Sequence, residues 1–227
     1  MTLDRNYWNT RTRTYVTTKS RRQRLLFLEL VLNRLREVFK EYKINSLLDL
    51  GCGNGFHFGL YNELGLRVKG IDFSEERVRV ALKRIKQNGF NNIDISKGDF
   101  IQEDLPHGFD CIMLSYVLEH LEPAKVVDLI GRIEGLARYY IVVGYYSEPF
   151  AELFKKYLAL CKKYSVAPMT FDPAKSFTTI PYDYPKLFKM NYDLYQFKGD
   201  NAMLVFKWRS PVERLSDFAR EKCVQVA

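Results

Sequence analysis

From residue 44 onward, short apolar runs alternate with amphipathic stretches, and that alternation restricts the chain more than any other feature. "INSLLDL", "LRVKGID", "NIDISKGD", "FDCIMLS" and "RYYIVVGY" read as five strands. Residues 55–64 read as a first intervening helix. Ser74 reads as the N-cap of a second, with Glu75 and Glu76 in its first turn and Gly89 past its end. Pro123 suits the first turn of a third. Strands that alternate with helices build right-handed βαβ units and a parallel sheet covered on both faces. "FDCIMLS" is almost wholly apolar, as a strand buried on both faces must be. The end of the chain departs from the rule. "YDLYQFK", "GDN" and "AMLVFKW" read as a hairpin, which makes the sheet mixed.

The 227 residues favour one domain with appendages. Residues 20–43 carry Leu28, Val31, Leu32, Leu35, Val38, Phe39 and Tyr42 at helical spacing, with Arg and Lys between them. Ser147 reads as the cap of a helix through about Tyr164. The proline- and aromatic-rich stretch after it, to about residue 190, reads as a long loop, and a loop that long is usually functional. The expected organisation is a basic helical segment or cap over 1–43, a domain over 44–210 with a helix-loop insert at 147–190, and a tail over 211–227.

Charge is concentrated at one end. The formal net charge is +8, and residues 1–43 hold 11 Lys/Arg against 4 Asp/Glu. That is a solvated helix face or a surface that steers an anionic partner. No apolar stretch approaches ~18 residues, so no membrane span is expected. The four cysteines, Cys52, Cys111, Cys161 and Cys223, form no CxxC pair. Their spacing suits reduced thiols, and a cytoplasmic location is expected.

The first strand runs into "LLDLGCGNG". Gly51, Gly53 and Gly55 remove side chains where strand turns towards helix, so the backbone can approach a ligand closely. No Lys-Ser or Lys-Thr follows, which excludes a P-loop, and GxGxG is not the dinucleotide pattern GxGxxG. Asp49 beside the turn would repel a pyrophosphate and attract a cation such as an ammonium or sulfonium. Asp72 closes the second strand, 19 residues after Gly53, where an acid binds a ribose diol. Asp99 closes the third, where a carboxylate could accept from an adenine amino group.

"LLDLGCGNG", "GIDFS", "GDF" and "FDCIMLSYVLEHLEP" together resemble successive motifs of the class I S-adenosylmethionine-dependent methyltransferases over residues 44–145. That resemblance implies a Rossmann-like, doubly wound, seven-stranded and mostly parallel α/β sheet with an antiparallel C-terminal hairpin strand and helices on both faces. It implies S-adenosyl-L-methionine as cofactor and S-adenosyl-L-homocysteine as product. Asp49 with Gly51, Cys52, Gly53, Asn54 and Gly55 would hold the methionine part. Asp72, with Phe73 and Ser74, would hold the ribose, and Asp99 with Phe100 the adenine. Leu114, Ser115 and Tyr116 would flank the sulfonium. His120 and Tyr116 are the candidate catalytic residues, although Glu119 and His120 could instead organise the loop they sit in.

Absent patterns narrow the chemistry. No [DN]PP[YFW] follows the fourth strand and there is no Pro-Cys pair, so adenine or cytosine methylation is disfavoured. The ExxEH of a metal-assisted RNA subclass has Tyr116 in place of its first Glu, so no metal is expected. An oxygen, nitrogen or carbon nucleophile of a small molecule is the leading acceptor. RNA held by the basic N-terminal segment, transfer of another group such as aminopropyl, and non-catalytic cofactor binding remain open.

Overall fold

The computed structural model describes residues 18–145, 182–196 and 201–208. Its elements are α1 (Thr18–Glu41), β1 (Ser46–Leu50), α2 (Phe58–Glu63), β2 (Arg67–Asp72), α3 (Glu75–Asn88), β3 (Ile93–Lys97), β4 (Cys111–Ser115), α4 (Pro123–Ile133), β5 (Tyr139–Tyr145), α5 (Tyr184–Phe188), β6 (Asn191–Gln196) and β7 (Asn201–Lys207). The strands form one sheet in the order β3-β2-β1-β4-β5-β7-β6. β1 to β5 pair in parallel. β7 lies antiparallel between β5 and β6. The expected mixed sheet and its terminal hairpin are both present.

Period-two alternation divides the sheet's side chains between two cores. Leu48, Leu50, Ile112, Leu114 and Val142 face α4 and α5. Leu47, Val68, Met113, Ile141 and Val143 face α1, α2 and α3. From Cys111 to Leu114, β4 is at most 1% exposed, the burial its composition requires. α1 belongs to the second core through Val31, Leu35, Val38 and Phe39. Ser74 caps α3 by accepting from the Arg77 N–H, and Gly89 ends that helix at φ 65°.

Two elements differ from expectation. The helix expected from residue 55 starts at Phe58, because residues 51–57 are spent on the turn. The stretch expected as a loop to residue 190 contains α5, capped by Asp183 with Pro185 in its first turn and ended by Lys189 at φ 51°. The expected helix over 147–164, the loop up to residue 181, the basic residues before 18 and the tail after 208 lie outside the described residues.

Candidate functional site

The strand order reverses between β1 and β4, and the loops after the strands meet there. Gly51, Gly53 and Gly55 all hold left-handed backbone, at φ 78°, 58° and 74°. A Cβ on Gly51 would stand 2.5 Å from the Val117 side chain, and one on Gly55 would stand 2.4 Å from the Phe58 ring. Sterics and conformation therefore both demand glycine. Gly51→Ala is expected to cost about 2–3 kcal/mol of stability in urea denaturation; a change within about 0.5 kcal/mol would refute the close packing of this turn.

The turn is fastened to its neighbours. The N–H groups of Gly51 and Cys52 donate to the Ile71 carbonyl at 2.8 and 3.3 Å. The Gly53 N–H donates to Asp72 Oδ2 at 2.8 Å, and the Ser74 N–H to Asp72 Oδ1 at 2.9 Å. Both carboxylate oxygens of Asp72 are thus aimed by backbone donors. Burial raises the Asp72 pKa, while the Ser74 N–H, the Arg77 charge and the Gly53 N–H each oppose the rise. A cradle of bare backbone beside a fixed carboxylate suits a ligand with a hydroxyl pair.

Asp49 is placed differently from a carboxylate that simply faces a cation. It is buried and accepts from the Tyr61 hydroxyl of α2 at 2.9 Å. Burial pushes it up to about 7, the Tyr61 bond opposes that, and the charge of Asp72 adds to it. Cys52 is buried with its sulfur against Gly70, and burial pushes its thiol up, so it packs rather than reacts. Asn54 is exposed and Phe73 half-buried. His57, at the head of α2, stacks on Tyr61 with ring centroids 5.9 Å apart, and burial lowers it to about 4.

β3 ends at Lys97, so Asp99 stands two residues past the strand, in the following turn. Asp99 Oδ1 accepts from the Ile101 N–H at 3.1 Å, and the Asp99 N–H donates to Glu103 Oε1 at 2.9 Å. Phe100 is buried. Arg132 of α4 donates to the carbonyls of Phe100, Ile101 and Glu103 and clamps this turn.

At the end of β4, Leu114 is packed in the core, whereas Ser115 and the following Tyr116 are half-buried. Tyr116 holds φ 53°, a costly conformation for an aromatic residue, and its N–H donates to the Val143 carbonyl at 2.7 Å. Residues Leu118–His120 form a single tight 3₁₀ turn. Glu119 is 1% exposed and His120 half-buried. Among the described residues, no three His, Cys, Asp or Glu side chains gather as metal ligands.

The sequence reading overlooked several contributors. Arg77 stands 3.3 Å from where a Gly53 Cβ would be, and Arg84 donates to the Gly55 carbonyl at 2.7 Å. Both come from "EERVRVALKR", where basic residues look like an exposed helix face. Tyr182 and Tyr184 meet the loop after β4, with the Tyr182 hydroxyl donating to the Leu121 carbonyl at 2.7 Å. No local pattern marks these partners.

Comparison with known proteins agrees with this arrangement. The carboxy-S-adenosyl-L-methionine synthase of Campylobacter hominis is 31% identical over 90 residues, 39% of this chain and 38% of that protein. The ubiquinone biosynthesis O-methyltransferase of Nitrosomonas europaea is 28% identical over 105 residues, 45% of this chain and 44% of that protein. The chain thus spans less than half the length of these curated relatives. The crystal structure of the magnesium protoporphyrin IX methyltransferase of Synechocystis, with bound S-adenosylhomocysteine, superposes with a TM-score of 0.64 at 18% identity, over 90% of this chain and 98% of that one. The family described as "Methyltransferase domain" matches residues 43–172. With its glycine turn, its seven-stranded sheet and this match over more than half its length, the chain belongs to the class I S-adenosylmethionine-dependent methyltransferases.

Proposed function

We propose that the protein transfers a methyl group from S-adenosylmethionine to a nucleophile on a small molecule. The observation that carries this reading is the direct tie between Gly53 and Asp72, which joins a side-chain-free turn to an aimed carboxylate. In it, Gly51 to Gly55 hold the methionine portion, Asp72 the ribose, and Asp99 with Phe100 the adenine. Asp49 contributes from below, through its bond to Tyr61. The cofactor supplies a methyl already activated by positive sulfur, so the protein's main task is alignment. Ser115 and Tyr116 border the reacting side. Two of the similar proteins are named for ubiquinone biosynthesis and for magnesium protoporphyrin IX, both small molecules, which supports the acceptor class.

Calorimetric titration with S-adenosylmethionine, S-adenosylhomocysteine and NAD tests the cofactor reading. Binding of the first two alone is expected, and binding of NAD, or of none by folded protein, would overturn it. His120 is the proposed base for an acceptor that is protonated at working pH. His120→Ala is expected to slow turnover about 100-fold with cofactor affinity unchanged. Undiminished turnover on the true acceptor would return His120 to a structural role.

The basic residues of the N-terminal segment favour a second acceptor class, RNA. Salt-sensitive RNA binding that disappears on deletion of residues 1–24 would move the acceptor to RNA. Its absence would leave the small molecule.

A further inference from the structure

Glu119 is a buried acid whose two carboxyl oxygens have no hydrogen-bond partner. Native proteins rarely leave such a group unsatisfied, because its desolvation is not repaid. It lies just past β4, beside the end of β5. A Cβ built on Gly144 would stand 3.4 Å from Glu119 Oε2 and 2.7 Å from the Tyr184 hydroxyl. The carboxyl and the phenol therefore converge on one bare stretch of backbone. The ring of Tyr182 lies 6.5 Å from that of Tyr184, and its hydroxyl is committed to the Leu121 carbonyl. Glu119 and Glu122 both act electrostatically on Tyr182. No Lys or Arg forms an ion pair with Glu119 among the described residues.

A carboxyl without a hydrogen-bond partner, two neighbouring tyrosines, and no Lys or Arg ion-paired to it among the described residues make a site with one missing component. A protonated amine supplies what the carboxyl lacks, N–H donors and positive charge, and tyrosine-rich surroundings also favour a cation. A carboxylate or phosphate would be repelled by the ionised carboxyl that an ammonium stabilises, and a neutral hydroxyl would bring no charge.

We propose that Glu119, Tyr184 and Tyr182, gathered over Gly144, bind a cationic nitrogen group of the methyl acceptor. The site rests on the methyltransferase reading above and names the class of acceptor it serves. Glu119 and Tyr184 act as recognition residues, with Tyr182 tying the segment of Tyr184 to the loop that carries Glu119.

The test uses the full chain, alone and saturated with S-adenosylhomocysteine, titrated calorimetrically at constant ionic strength with benzylammonium chloride and with benzyl alcohol. The two probes share a shape and differ in charge. The ammonium is expected to bind at least about ten-fold more tightly than the alcohol, the scale of one charge-assisted contact. Glu119→Gln should erase that preference, and Tyr184→Phe should reduce it. Equal binding of the two probes, no binding of either, or a preference that survives Glu119→Gln would overturn the proposal. If S-adenosylhomocysteine binds but the ammonium is not preferred, the acceptor site alone fails. If S-adenosylhomocysteine does not bind, the cofactor reading fails instead.

Discussion

Replacing Glu119 with Gln is expected to make the folded protein more stable than the native sequence at pH 8, by on the order of 4 kcal/mol. The carboxyl is pushed from its ordinary value up to about 8 by burial; its own backbone N–H opposes the rise without prevailing. Tyr184 shares the Gly144 backbone with it, Tyr182 feels its charge, and no Lys or Arg forms an ion pair with it among the described residues. In the unfolded chain the same group ionises near pH ~4.3. The folded state therefore holds a proton that the unfolded state releases over that interval. Stability linked to this group is complete below the unfolded value and is lost as pH rises to about 8. Gln has nearly the same shape and no titration, so it removes that loss. Chemical denaturation of both proteins at pH 5, 6.5 and 8 measures the effect, and other titrating groups, Asp49 among them, cancel in the difference. A gap that does not widen with pH would show that Glu119 is not held neutral. Greater stability together with lost ammonium preference is a pairing that a purely structural role for Glu119 does not produce.

Asp72→Ala is expected to weaken S-adenosylhomocysteine binding roughly 300-fold, equivalent to two or so charge-assisted hydrogen bonds. The carboxylate accepts from Gly53 and Ser74, one donor per oxygen. Each oxygen keeps a second lone-pair direction for a ribose hydroxyl. Alanine removes the ribose contact and also frees the Gly53 N–H that sets the turn. Asparagine is not a rescue: its NH₂ must face one of the two backbone donors, so it should recover little of the loss. Calorimetry with S-adenosylhomocysteine gives the affinity, and thermal unfolding shows whether each variant is folded. Unchanged affinity in a folded Asp72→Ala protein would remove the ribose assignment.

Much of the scaffold was legible because its signals are local. Five apolar runs, the Ser74 cap, Gly89 and the hairpin are each written within a few residues, and the strands stand where those runs lie. The glycine turn was legible for the same reason. What was hidden depends on distance in sequence. Arg132 reaches back about thirty residues to clamp the turn after β3, yet in its own helix it is an ordinary basic residue. α5 has five residues, too few for a periodic pattern to show, and it stands through capping and burial against the sheet. Glu119 carries a charged letter inside "VLEHL", and only the surrounding fold reveals that its carboxyl is buried with no hydrogen-bond partner for either oxygen.

The strand order also separates what this protein can change from what it must keep. Everything proposed to hold the cofactor's sugar and base comes from β1, β2, β3 and their loops, while the bent backbone of Tyr116 and Glu119 follow β4, Gly144 lies near the end of β5, and Tyr184 opens α5. The boundary between β1 and β4 is the seam between these two inventories. An engineer seeking a new acceptor should therefore diversify Glu119, Tyr182 and Tyr184, and leave residues 46–103 together with Tyr116, Val117 and Arg132 untouched. Libraries confined to those three positions should retain donor binding while their acceptor preferences scatter.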